Sequence, residues 1–339
     1  MAESFRVSAL LRESAWRRGR LLILCYHGVS LEDEHLWNSS LYMPAALFRQ
    51  RLEMVRAFGA AVLPLEEAIP RMQDGTLPSR SVAITFDDGL YDFYRAAHPI
   101  LREFGYPATV YFTTYYSDFP RPVFDVACSY LLWKASGRRL EWSGLPASPL
   151  VLDDPGRQSA VQAILSHARH NRFSAKQKDD LLAELAARLN LDYEDFRARR
   201  ILQLMQPAEA AELARSGVDL QLHTHRHRLS MRREVFLREI DDNRQRVAAL
   251  SGRPARHFCY PGGVHRAEFL GWLRERSILS ATTCELGLAS RAQDPLLLPR
   301  LVDTSGLTPH EFRSWLSGLA ALLPHRASAE AGGQFFEEA

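Results

Sequence analysis

A chain of 339 residues, 46% hydrophobic and 24% charged, can bury a sizeable core and has the make-up of an ordinary globular protein. Its 42 basic and 40 acidic side chains nearly cancel, which argues against a nucleic-acid binder driven by phosphate neutralisation. The four cysteines, Cys25, Cys128, Cys259 and Cys284, are widely spaced with no Cys-x-x-Cys, so they read as buried free thiols.

Residues 1–20 read as a helical extension, with Arg12, Arg17, Arg18 and Arg20 on a solvated face. The apolar run Leu21-Leu22-Ile23-Leu24 is too short for a leader. It continues into Cys25-Tyr26-His27-Gly28 rather than a small-residue cleavage site, so it reads as a buried strand of a cytoplasmic protein. No stretch is long enough to span a membrane. After a polar loop from Ser30 to Ser40, Pro44 opens a helix that stops at Gly59. A strand over 60–65, a helix over 65–72 and a strand closing on Thr85-Phe86-Asp87-Asp88-Gly89 follow. Next come a helix over 93–104 and a β-branched, aromatic strand over 108–114. Strands alternating with helices predict a parallel sheet or barrel.

The alternation stops at Asp118. From about 118 to 206 the pattern gives only helices, near 123–136, 157–170, 174–190 and 193–203, with a loop over 143–149. This is a helical insertion of the kind that forms a lid or rim. Ser174 and Gln177 suggest a capping box. The alternation resumes with a helix over 207–216, a strand ending at His223 and a long helix over 231–250. A strand over 257–260 leads into Pro261-Gly262-Gly263. Beyond it are a helix over 267–275, strands over 278–284 and 296–301, and a helix over 308–322. The domain plan is an extension at 1–20, a barrel over 21–322 containing the insertion, and a disordered tail at 323–339.

Two adjacent carboxylates at a buried strand end repel each other and are poorly solvated, and a bound cation removes that cost. Asp87-Asp88 is therefore half of a candidate metal site. The other half is His223-Thr224-His225-Arg226-His227, whose first and last imidazoles can meet at one point. One carboxylate and two imidazoles leave coordination positions open, as a catalytic centre requires. Alone, Asp-Asp-Gly is a turn and the His-rich pentad a polar loop. Both fall at the C-terminal ends of predicted barrel strands, as do His27 and Tyr260, and barrel enzymes place their chemistry there.

These residues resemble the polysaccharide deacetylase family (carbohydrate esterase family 4, the NodB-homology domain). Thr85-Phe86-Asp87-Asp88-Gly89 matches its first motif, and His223-Thr224-x-x-His227 its second, with Arg228 where proline is usual. Phe258-Cys259-Tyr260-Pro261-Gly262-Gly263 is similar to the third. The resemblance covers roughly 21–320. It implies a distorted (β/α)7 TIM-like barrel with a divalent metal, Zn2+ first and Ni2+ or Co2+ next, on Asp88, His223 and His227. It makes Asp87 the general base and places an oxyanion-stabilising backbone N–H near Gly262, with Tyr260 and Pro261 against substrate. It also implies removal of N-acetyl groups from an N-acetylated glycan. Alternatives are the same chemistry on an O-acetyl ester, an N-formyl group or a non-sugar amide, and an inactive carbohydrate-binding barrel.

The chain departs from the pattern twice. Cys259 stands where an arginine usually steadies the base, and Arg300 is the candidate to replace it. The late motif with its catalytic histidine is missing. His310 and His325 read as surface residues, which leaves His27, and after it His265, to line the site. His225 is expected to point away. Trp133, Tyr115 and Tyr116 are aromatic candidates for sugar stacking or for core.

Overall fold

The computed structural model describes residues 14–143 and 149–323. The expectations for residues 1–13, for most of the 143–149 loop, and for the tail with His325 lie outside the described residues. The described residues form two compact units, one within 119–204 and one of the remaining described residues.

The larger unit is built on seven parallel strands: β1 (Arg20–Tyr26), β2 (Ser81–Phe86), β3 (Thr109–Phe112), β4 (Asp219–Leu222), β5 (His257–Cys259), β6 (Ser280–Leu286) and β7 (Leu298–Val302). Each pairs with the next, and β7 returns to β1 with Leu301 opposite Leu24, which closes the barrel. The expected (β/α)7 barrel is therefore present. The β1 run is fully buried from Leu21 to Tyr26 because helices cover its outer face and the lumen its inner one. Among the short strands outside the ring, one lies within the strand expected over 60–65 and another is not expected from the pattern. Ala61–Val62 extends β2 in parallel, and Ala289–Ser290 pairs antiparallel with the start of β1.

A two-residue period decides what enters the lumen. Leu21, Ile23, Ala83, Tyr111, Cys259 and Leu298 pack there with Leu65, Ala68, Ile69 and Met72 of the helix Leu65–Gln73. The same period carries Cys25, Thr85, Asp87 and Arg300 inward, nearer the C-terminal ends of their strands. The β6–β7 register shifts between Thr282 and Leu286, a local irregularity that leaves the Thr283 carbonyl oxygen to accept from Arg300 Nε at 2.9 Å.

Two helices of this unit that bear on the site end where local chemistry ends them. Ala45–Phe58 follows Pro44, stops at Gly59 and buries Phe48, Leu52 and Val55 at helical spacing. Arg233–Ser251 stops at Gly252 and buries Phe236, Glu239, Ile240, Asn243 and Val247, so two polar residues lie on its inner face. The last predicted helix is shorter than expected. It runs Pro309–Ser317, capped by Thr308 with Glu311, and ends at left-handed Gly318.

The smaller unit holds the helices Phe124–Lys134, Asp154–His170, Ala175–Arg188 and Tyr193–Ala198, and the Ser174–Gln177 capping box forms in full. Its strand content corrects the reading of helices alone. Arg139–Leu140 and Leu150–Val151 form an antiparallel pair too short to leave an alternating pattern. No helix among the described residues is long and apolar enough to cross a membrane.

The basic cluster before β1 is a second correction. Ala15–Arg18 is helical, but Arg17 is fully buried. Its guanidinium donates to the carbonyl oxygens of Leu316 (3.0 Å), Arg20 (2.7 Å) and Ser81 (3.2 Å), tying this turn to β2 and the last helix. Side-chain periodicity carries no signal for a cation whose partners are backbone carbonyls. Arg17→Ala removes the donor from three carbonyl acceptors, two of them in buried hydrogen bonds, and is expected to cost roughly 2–4 kcal/mol of unfolding free energy by urea titration. A loss below about 0.5 kcal/mol, the range of an ordinary surface substitution, would mean a solvated arginine after all.

Candidate active site and metal centre

β2 delivers two carboxylates in succession, and the backbone sends them apart. Asp88 (φ 71°) and Gly89 (φ 82°) are both left-handed, so the chain turns directly after Asp87. Gly89 is the residue this turn requires, since a Cβ there would lie 2.1 Å from the Phe112 ring.

Asp87 stays inside the barrel mouth and is 3% exposed. Arg300, with no exposed surface, meets it end-on with both terminal nitrogens, Nη1 to Oδ1 and Nη2 to Oδ2, each at 2.8 Å. Burial alone would push the Asp87 carboxyl up, but the guanidinium outweighs it and holds the group far below the usual carboxylate range. Three thiols surround this pair. Cys259 Sγ is 3.3 Å from Asp87 Oδ2 and 3.1 Å from Arg300 Nη2, Cys25 Sγ is 3.6 Å from Asp87 Oδ2, and Cys284 Sγ is 3.9 Å from Arg300 Nη2. At the position where an arginine was expected, Cys259 is small enough for a guanidinium to arrive from β7 instead.

Asp88 faces two histidines. Its Oδ1 is 3.3 Å from His223 Nε2 and 3.2 Å from His227 Nε2, and the two rings are 4.8 Å apart. The three residues offer ligand atoms within 4.8 Å of one another. His223 is the residue whose hydrogen bonding bears most directly on a cation here. Its Nδ1 lies 2.9 Å from the Cys259 carbonyl oxygen, which only accepts, so Nδ1 holds the ring proton. In the neutral imidazole the Nε2 lone pair then points at a carboxylate oxygen. Two acceptors at that distance need a positive centre between them, and a carboxylate with two imidazoles suits zinc and its neighbours. The donor set fits a divalent metal.

Other expected residues divide. His27 Nε2 is 3.9 Å from Asp87 Oδ2 with 17% of its side chain exposed, so it borders the site. Gly262 (φ 61°) and Gly263 (φ 71°) form a left-handed turn after β5, and the Gly263 N–H donates to the Tyr260 carbonyl. The Tyr260 ring corrects an expectation. It is fully buried against Phe258, its hydroxyl donates to Leu296 O at 3.0 Å and its backbone N–H donates to Thr282 O at 3.2 Å, so its ring is packed into the barrel rather than offered to substrate; Pro261 is buried as well. His265 lies beside Gly263 O and Glu285, and His225 turns to Thr114 Oγ1 at 2.8 Å. His310 is exposed. Tyr115 and Tyr116 pack edge to face, and Trp133 lies at a tilt against Tyr130 in the smaller unit.

Sequence reasoning passed over Glu239 and Asn243, which hold the histidine loop from the helix behind it. Their signal was a carboxylate and an amide on the apolar stripe of that helix.

Residues 74–125 and 168–276 match the polysaccharide deacetylase family. The chain belongs to the polysaccharide deacetylase family. Among its relatives, YxkH of Bacillus subtilis is 33% identical over 103 residues, 29% of this chain and 35% of that protein. The poly-beta-1,6-N-acetyl-D-glucosamine N-deacetylase of Escherichia coli K12 is 29% identical over 101 residues, 30% of this chain. The aligned stretch is 15% of that enzyme's length, so the chain matches well under two thirds of either relative. Solved structures agree over far more of the fold. The Streptococcus pyogenes deacetylase PplD, in complex with acetate, superposes with a TM-score of 0.58 at 19% identity, over 90% of this chain and 99% of that one. IcaB of Ammonifex degensii gives 0.54 at 17%, over 89% and 97%.

The Arg300–Asp87 pair has a pH signature. The folded Asp87 pKa lies below its unfolded value, so the pair's stabilisation is fully present above about pH 4 and is lost as pH falls towards the folded pKa. In Arg300→Met the largest influence opposing burial is gone and only His223 and His27 still lower the carboxyl, so its pKa rises and the sign reverses: stability falls as pH increases. In chelator-treated protein the stability gap between wild type and variant should widen between about pH 4 and 7, by up to about 1.4 kcal/mol per pH unit. Urea titrations across that range check this, and a gap that ignores pH would contradict it.

Proposed function

We propose that this chain is a metal-dependent hydrolase that removes N-acetyl groups from amino-sugar residues of a polysaccharide or oligosaccharide. The observation that carries this is the split of the two carboxylates: Asp88 grouped with His223 and His227, and Asp87 beside them but clamped by Arg300. Family membership and the N-acetylglucosamine polymer in the name of the Escherichia coli relative support the substrate class.

Asp88, His223 and His227 would hold the divalent metal, Zn2+ foremost with Ni2+ or Co2+ as substitutes. When bound, it supplies Lewis acidity towards a water and the acetamide carbonyl. Asp87 is ionised throughout the working pH range, and its position is fixed by the two Arg300 hydrogen bonds. It takes the proton of the attacking water. Arg300 is a positioning residue, wholly buried and aimed at the base rather than at substrate. The left-handed turn at Gly262 brings backbone N–H groups to the strand end, where one can donate to the developing oxyanion. His27, bordering Asp87 and partly open to solvent, hands a proton to the leaving amine. Its place at the end of β1 supplies the histidine that no late motif provides.

Acetate release from β-1,6-linked N-acetylglucosamine oligomers, in protein loaded with zinc or cobalt, tests the assignment. Asp87→Asn should lower kcat by ~10³-fold or more. His27→Gln should lower it by ~10²-fold on the amide but far less on an aryl acetate, whose leaving group needs no proton. Equal losses on both substrates would remove His27 from the acid role. No acetate from any N-acetylated oligomer would overturn the substrate class.

A further inference from the structure

The two histidines facing Asp88 are held in different ways. His223 is fixed from within the barrel. It is 2% exposed, its ring donates to Cys259 O, and its backbone N–H donates to Asn243 Oδ1 at 2.9 Å. His227 is 43% exposed, so packing cannot fix its ring to the same degree. The loop between them is also conformationally costly. Thr224 (φ 62°) and His227 (φ 53°) are both left-handed without being glycine, a backbone region that side chains with a Cβ rarely adopt. Within the loop the Arg228 N–H donates to Thr224 Oγ1 at 3.0 Å.

Four hydrogen bonds anchor this loop to a single residue of the helix Arg233–Ser251. Glu239 is 1% exposed. Its backbone carbonyl accepts from the His225 N–H at 3.1 Å. Its carboxylate accepts from the Arg226 N–H at 2.8 Å, from Arg226 Nη1 at 2.9 Å and from Arg228 Nε at 2.9 Å. Two guanidiniums and an amide make its buried charge tolerable and give it directional, charge-assisted bonds to both neighbours of His227. One turn further along, Asn243 Nδ2 ties the same helix to Phe112 O and Thr114 Oγ1, each at 2.9 Å. The helix face at 239 and 243 therefore locates both histidines relative to Asp88, and Arg228, where proline is usual, is part of the clamp.

We infer that Glu239 is the positioning residue for the second histidine ligand: through Arg226 and Arg228 it holds His227 where a divalent cation can join it to Asp88 and His223. The inference rests on the reading of those three residues as the ligands. Without the Glu239 charge the loop keeps its sequence and exposure, but His227 must be ordered by the metal at the moment of binding, which weakens affinity.

The test is a cobalt(II) titration of chelator-stripped protein, with the dissociation constant from chelator competition and the d–d absorption band as a report on ligand geometry. Glu239→Gln should weaken cobalt binding by ~10- to 100-fold and alter the band. If it lowers the melting temperature of the metal-free protein but leaves the dissociation constant and the band unchanged, Glu239 only packs the helix and the inference is overturned. Should Glu239→Gln not fold, the double variant Arg226→Gln/Arg228→Gln reads the same clamp from its solvent side. It should again weaken cobalt binding, and unchanged affinity would count against the inference. His227→Ala and Asp88→Ala serve as controls. If they bind cobalt as well as wild type, the ligand assignment fails, an outcome distinct from failure of the clamp alone.

Discussion

The end-on pair between Arg300 and Asp87 is the constraint on which the rest of the site depends. Both groups are buried, so neither tolerates the loss of the other: removing one side of such a pair typically costs about 3–5 kcal/mol. The pair fixes more than charge. It engages both Asp87 oxygens along one edge and so fixes the direction in which the carboxylate faces. It also requires space, which the fold provides through Cys259 beside the guanidinium and an irregular β6 whose Thr283 carbonyl accepts from Nε. A large residue at position 259 would compete with Arg300 for that volume, so the thiol and the distant arginine are best seen as one solution.

With Asp87 committed to Arg300, Asp88 is left to the histidines. The separation is a backbone matter. Two successive left-handed residues, Asp88 and Gly89, let adjacent carboxylates face different partners, and only glycine fits under the Phe112 ring at the second of them. A second element then fixes the imidazoles. The helix Arg233–Ser251 buries Glu239 and Asn243 on the face that its apolar residues define, and both contact the histidine loop. The polar residues of this stripe thus connect helix packing to site geometry.

Much of this was legible in the chain itself. The alternation of strands and helices points to a parallel sheet or barrel, the family resemblance narrows this to the (β/α)7 barrel, and the candidate metal cluster follows from Asp87-Asp88 and the His-x-x-x-His spacing at strand ends. The role of Arg300 was open in the sequence because a partner for Asp87 can arrive from any strand around a closed barrel. The period of two narrows it: Leu298 and Arg300 share the lumen face, as do Cys25 with Ile23 and Asp87 with Ala83. Illegible were features whose partners are backbone atoms or distant in sequence. Arg17 donates to three carbonyls from three parts of the chain, and the Tyr260 hydroxyl is consumed by Leu296 O. The two-residue strands of the smaller unit are set by pairing rather than by pattern.

In the proposed mechanism the neighbouring carboxylates have separate roles, Asp88 as ligand and Asp87 as a clamped base. Metal content measures this most directly, by elemental analysis of Asp87→Asn and Asp88→Asn after stripping, reloading with zinc and desalting. Asp87→Asn should retain about one zinc per chain while losing activity, and Asp88→Asn should retain almost none. Equal zinc in both variants, or loss from Asp87→Asn alone, would contradict the account.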